Sequence, residues 1–238
     1  MELNAMNRRR LSFAPYDLSI YKSLLNHLSN DKKYVISNLE NYRIQAKENK
    51  IHIILRHDVD TSDCIKKMGL LLEEDLKWGF RPSVYLRVDE EEYSLGDWKV
   101  FIEEYHLKGV PFGLHSVCYV NQNYLETFRH ETKKFILKTG IVPKSFTLHG
   151  LGEYGMENRL QFIKTAKEVA IDNGYRVTDC SEDFISYDYV MHDSHWDMAN
   201  QKRYIMKEFI RLPNFSKGKY YLILTHPCYW RNGSQVNV

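Results

Sequence analysis

Four apolar, strand-like stretches of this chain each run directly into an imidazole: residues 51–60 (IHIILRHDVD), 110–116 (VPFGLHS), 144–150 (KSFTLHG) and 220–227 (YYLILTHP). They end in or near His57, His115, His149 and His226. The first also delivers two carboxylates, Asp58 and Asp60, spaced so that extended backbone projects both to one side and His57 to the other. Neutral imidazole and carboxylate together form the ligand set of zinc and other divalent metals. Paired carboxylates can also divide the work, one binding a cation while the other takes a proton from water. Metal-assisted hydrolysis is the chemistry this pattern suggests. His57 is expected to pack behind the site, and Arg56 either holds a carboxylate by a charge-assisted bond or lies exposed.

These residues need elements that bring them together. From residue 51 onward, short apolar runs alternate with helical stripes. Strands are expected at Ile51–Leu55, Ser83–Val88, Phe112–His115, Ser145–His149, Tyr175–Thr178, Tyr187–Met191 and Tyr220–Thr225. Between them, Cys64 to Leu76, Trp98 to Leu107, Tyr124 to Ile136 and Leu160 to Ala170 carry helical periodicity, with Thr61 or Ser62 as an N-cap and Gly140 and Gly174 as stops. This alternation implies βαβ units and a parallel sheet, and about seven strands suit a closed or partly closed α/β barrel. Parallel strands that end in His and Asp gather them on one face, where such folds place their sites. No GxGxxG follows any strand, which argues against a nicotinamide cofactor. Residues 1–50, with a helical stripe at Tyr21, Leu24, Leu25 and Leu28, are expected to form a lead-in packed on a main domain of residues 51–230; residues 231–238 form a polar tail.

Two aromatic groups lie near the late site residues. Trp196 falls in Asp193-Ser194-His195-Trp196-Asp197, and Trp230 follows Tyr229. The C–H faces of sugar rings stack on such surfaces, so both indoles are candidates for contact with a carbohydrate, with core packing as the alternative. Ser116 lacks the GxSxG setting of a serine nucleophile. With 33 basic and 31 acidic residues among 238, the chain shows no bias toward nucleic acid, and 43% hydrophobic content suffices for a sizeable core. Its four cysteines have no CxxC spacing, which fits free thiols in a reducing, cytoplasmic setting. No apolar run reaches the ~18 residues of a membrane span, and no apolar stretch follows Arg8-Arg9-Arg10 as in a signal peptide.

In chain order, Arg56-His57-Asp58-Val59-Asp60, Gly113-Leu114-His115, Thr147-Leu148-His149-Gly150, Asp193-Ser194 with Trp196, and Leu224-Thr225-His226-Pro227 with Trp230 resemble the motifs of the polysaccharide deacetylase family (carbohydrate esterase family 4). The likeness covers about residues 51–230 and is nearest to a cytoplasmic branch, often encoded with surface-polysaccharide biosynthesis, whose first motif is RHDVD. It implies a distorted (β/α) barrel of seven strands and metal-dependent removal of an acetyl group from a sugar. Under it, Asp58 matches the catalytic base, Asp60 and His115 match metal ligands, and His226 matches the general acid. Asp193 falls in the motif that orients that acid. The chain departs from the family where Tyr119 stands in place of a second metal histidine and where LHG replaces an arginine motif. His149 is therefore the expected third ligand, beside Asp60 and His115, for a divalent metal with zinc as the first choice. The resemblance implies an N-deacetylase acting on an acetamido sugar, nucleotide- or lipid-linked. Cleavage of another non-peptide C–N bond, or a silent barrel that binds polysaccharide intermediates, remain as alternatives.

Overall fold

The computed structural model describes residues 16–45, 48–89, 91–121, 123–150, 175, 188–193, 196–197, 202–203 and 215–232. In chain order the elements are β1 (Tyr16–Asp17), α1 (Leu18–Asn30), β2 (Tyr34–Ser37), β3 (Ile51–Val59), α2 (Ser62–Lys77), β4 (Ser83–Leu86), α3 (Lys99–Leu107), β5 (Phe112–Ser116), α4 (Tyr124–Thr139), β6 (Phe146–Leu148), β7 (Tyr189–His192), β8 (Trp196–Asp197), β9 (Lys202–Arg203), β10 (Tyr220–Thr225) and β11 (Trp230–Arg231). Seven strands form one parallel sheet in the order β6-β5-β4-β3-β10-β7, with β2 added beside β3. The sheet curls into a half-barrel. Among the described residues β6 and β7 form its two edges.

β3 is the spine of the sheet, and all nine of its residues are buried. One edge pairs first with β2, through Ile51–Ile54, and then with β4, through Arg56–Val59. The other edge pairs with β10 from His52 to His57. Strand pairing therefore continues past the apolar run Ile51–Leu55 into Arg56-His57-Asp58-Val59 and carries charged groups into the interior.

Alternation along the strands separates two faces. Val59, Val84, Leu86, Phe112, Leu114 and Phe146 pack against Ile65 and Met68 of α2, Ile102 of α3 and Phe128 and Phe135 of α4. Ile51, Ile53, Leu55 and Ile223 meet the Leu24, Leu25 and Leu28 stripe of α1. On the other face Ile54, Tyr85 and Leu222 close against Leu39 and Tyr42, which leaves the C-terminal strand ends beyond them for polar side chains. The helices begin and end where local chemistry directs. Thr61 Oγ1 caps α2 by accepting the Cys64 amide, and Gly140 takes the left-handed conformation (φ 75°) that ends α4.

The N-terminal segment is more than a packing layer. β2 extends the sheet, and β1 pairs with β11 at the far end of the chain. β8 and β9 form a short antiparallel pair. The helix expected at Leu160 to Ala170 lies outside the described residues, as does all of the expected strand Tyr175–Thr178 except the buried, non-strand Tyr175.

Candidate metal centre

The strand ends bring three potential ligands together. Asp60 follows β3, His115 lies in β5 and His149 follows β6. His115 Nε2 is 3.2 Å from Asp60 Oδ1, and His149 Nε2 is 3.6 Å from Asp60 Oδ2. One ligand atom from each residue lies within 4.8 Å of the other two, a spacing that one cation can bridge. His115 Nδ1 is 2.6 Å from Thr147 Oγ1 on the neighbouring strand, which fixes the ring so that Nε2 faces the site, as an outer hydrogen bond does for a metal-bound histidine. His149 Nδ1 is buried without a hydrogen-bond partner, and Asp60 Oδ1 makes no well-formed hydrogen bond although His115 Nε2 lies 3.2 Å away. An oxygen left over among imidazoles suits a divalent cation. Burial works against ionising Asp60, but His115, His149 and His226 outweigh it and hold the carboxyl well below its usual range.

Tyr119 explains how His149 is held. Its ring is buried, and its hydroxyl donates to the His149 carbonyl. The His149 amide in turn donates to the Ser116 carbonyl (2.9 Å). The side chain at position 119 thus fixes the backbone of a potential ligand.

Asp58 belongs to a second group. Arg56 grips it with two bonds, Nε to Oδ1 (2.7 Å) and Nη2 to Oδ2 (2.6 Å), and both side chains are buried. Burial raises the Asp58 pKa, yet the charges of Arg56 and His115 bring it below the ordinary value. The Arg56 guanidinium lies over the Tyr85 ring (5.2 Å to the centroid), and the Tyr85 hydroxyl donates to Ser145 Oγ (2.9 Å). Gly113 makes room for that ring, because a Cβ there would lie 2.5 Å from Tyr85 Cε1. Asp58 Oδ2 is 3.6 Å from His115 Nε2, so the clamped carboxylate borders the three ligands.

His226 completes the site from the far side, with Nε2 3.5 Å from Asp60 Oδ2. Asp193, in the turn after β7, accepts from the His226 backbone amide (2.7 Å) and lies 2.6 Å from its Nδ1. Burial disfavours the charged imidazole, but the charge and hydrogen bond of Asp193, helped by Asp60 and Asp58, push its pKa up to about 10. Trp230 Nε1 donates to Asp193 Oδ2 (2.7 Å), and the Tyr16 hydroxyl donates to the Asp193 carbonyl (3.1 Å).

This arrangement corrects the expectation for Trp230. The indole is fully buried and stacked on Tyr16, so it presents no face to a sugar, and its N–H is used to orient Asp193. The side chain of Trp196 lies outside the described residues. Arg56 lines the cavity, but its guanidinium is committed to Asp58. His57 does pack behind the site. Its Nδ1 is 2.5 Å from Thr225 Oγ1, its Nε2 is 2.8 Å from Asp75 Oδ2, and Asp75 also accepts from Tyr21 (2.7 Å).

The site opens into a cavity of about 510 Å³ lined by Arg56, Asp58, Asp60, His115, His149 and His226 together with Leu148, Gly150, Val190, His192, Leu224 and Tyr229. His192 escaped the sequence reading. Its signal was the same as that of the others, an apolar strand (Tyr189-Val190-Met191) that runs into an imidazole. Comparison of the chain with protein-family models, curated proteins and solved structures finds no match.

Proposed function

We propose that the protein is a metal-dependent hydrolase of a non-peptide C–N bond, and specifically an N-deacetylase that acts on an acetamido sugar. The observation that carries this reading is the meeting of Asp60, His115 and His149 within the reach of one ion, beside an Arg-clamped Asp58 and an Asp-held His226. A divalent cation, zinc first, held by those three residues supplies Lewis acidity toward an acyl carbonyl and toward water.

The remaining work falls to the chain. Asp58, kept ionised by Arg56, accepts a proton from the attacking water. His226, kept protonated by Asp193, donates a proton to the departing amine. A carboxylate held below its normal pKa and an imidazole held above it supply a base and an acid at the same pH. The cavity accommodates a sugar ring and its acyl group. Support for the deacetylase form of the reading comes from the motif resemblance, with His149 taking the position that Tyr119 leaves vacant as a ligand.

The test is acetate release from a panel of UDP-linked acetamido sugars by zinc-loaded protein, repeated after chelation. Release that chelation stops and zinc restores is expected. A zinc-loaded, folded protein that releases no acetate from any member of the panel would overturn the deacetylase reading.

A further inference from the structure

One imidazole that lines the cavity has no part in the chemistry above. His192 ends β7, where it stands opposite Leu224 of β10, and Leu224 in turn stands opposite Arg56 of β3. Residues paired across parallel strands project to the same face, so His192, Leu224 and Arg56 form one row on the inner face of the sheet. With strands ~4.8 Å apart, His192 and Arg56 lie about 10 Å from each other across Leu224. The alternation along β7 agrees. Met191 is buried on the outer face with the α1 cluster, whereas Val190 and His192 both line the cavity. His192 is half-buried. Among the described residues the group that one ion can bridge is Asp60, His115 and His149, which places His192 outside the metal centre.

From this placement we infer that His192 is a specificity-determining residue, which binds a hydroxyl of the amine-bearing sugar ring. The inference rests on the reaction proposed above and takes its direction from it. The group that protonates the departing amine must stand beside that nitrogen. That group is His226, two residues beyond Leu224. The amine half of the substrate therefore lies on the β10 and β7 side of the cavity, one row from His192. The acyl half is left to the wall at the end of β6, where Leu148 and Gly150 flank His149. An imidazole carries at least one N–H in either protonation state, which suits a sugar hydroxyl. Tyr229 lines the same side with its ring 5.5 Å from that of His226, and Val190 and Leu224 add apolar surface. Together they offer the C–H face of a sugar the contact that the buried Trp230 does not make.

The experiment uses zinc-loaded, full-length protein and the UDP-linked acetamido sugar that the wild type hydrolyses fastest. His192→Ala should raise KM roughly 10-fold, the loss of one hydrogen bond, while kcat stays within about 2-fold. Zinc affinity, read by competition with a chromophoric chelator, should not change. His192→Gln keeps an N–H donor and should recover most of the loss in KM, whereas His192→Phe fills the space without a donor and should not. An unchanged KM in a folded His192→Ala or His192→Phe variant overturns the inference. So does a fall in kcat at constant KM, which would mean that His192 acts through its neighbour Asp193 on His226, and so does weakened zinc binding. Failure of the reaction itself looks different: the wild type then releases no acetate from any sugar of the panel, and this inference falls with it.

Discussion

Replacing Tyr119 by phenylalanine keeps the buried ring and removes one atom, the hydroxyl that donates to the His149 carbonyl. A carbonyl left short of its partner costs ~1–3 kcal/mol, and the residue bearing it is a proposed metal ligand. His149 keeps its amide bond to Ser116, so the segment loosens but stays attached. Part of the loss falls on the fold and part on ligand geometry. Since ~1.4 kcal/mol is a factor of ten in affinity, zinc binding should weaken by roughly 10-fold, within the ~10–100-fold common for outer hydrogen bonds of metal ligands. Competition against a chromophoric chelator measures this, while thermal unfolding of the zinc-free protein measures the fold contribution separately. In a His149→Ala background the Tyr119→Phe change should have no further effect on zinc affinity, because its route to the metal is gone. Wild-type zinc affinity in a folded Tyr119→Phe variant, or an undiminished effect in the His149→Ala background, would refute the reasoning.

Other outcomes follow from the same geometry. Asp58→Asn should abolish acetate release while retaining zinc, and should also destabilise the fold by about 3–5 kcal/mol in chemical denaturation because Arg56 keeps a buried charge without its partner; loss of zinc from a folded variant would contradict the assignment. Gly113→Ala should destabilise by about 1–3 kcal/mol and displace the Tyr85 ring from Arg56, since the added Cβ would sit 2.6 Å from the Ser145 carbonyl oxygen; unchanged stability would count against that packing. Burial pushes the Glu131 carboxyl from 4.5 up to about 7, so the native state holds its proton more tightly than the unfolded state does. Stability from this group is therefore full below about pH 4.5 and falls as pH rises toward 7, by at most roughly 3 kcal/mol, and Glu131→Gln should gain on wild type across that window; a pH-independent difference between the two would refute it.

The parts of the fold that the sequence made legible are those with a strong period. Tyr220–Thr225 appears as β10 with the expected bounds, and the α4 stripe ends at Gly140 as its turn chemistry requires. β3 ran longer than its apolar residues indicated because Arg56 and Asp58 satisfy each other on one face while His57 meets Thr225 and Asp75 on the other. A pattern of apolar residues cannot show such pairing, which depends on partners far along the chain. β2 escaped notice for a related reason: the half-buried run Tyr34-Val35-Ile36 gains its place by pairing with β3. Within the site, Asp60, His115, His149 and His226 converge because each ends a parallel strand, a property visible in sequence. The role of Trp230 was not visible, since an indole that stacks on Tyr16 and one that stacks on a sugar look alike until burial is known.

The most direct test of the metal centre is zinc stoichiometry and affinity for the full chain and its ligand variants, by equilibrium dialysis with elemental analysis. The expected result is about one zinc ion per wild-type chain, lost from Asp60→Asn and His115→Ala, bound measurably more weakly by His149→Ala and retained in Asp58→Asn. A folded wild-type chain that binds no zinc, or a folded His149→Ala variant that holds it as tightly as wild type, would contradict the proposed ligand set.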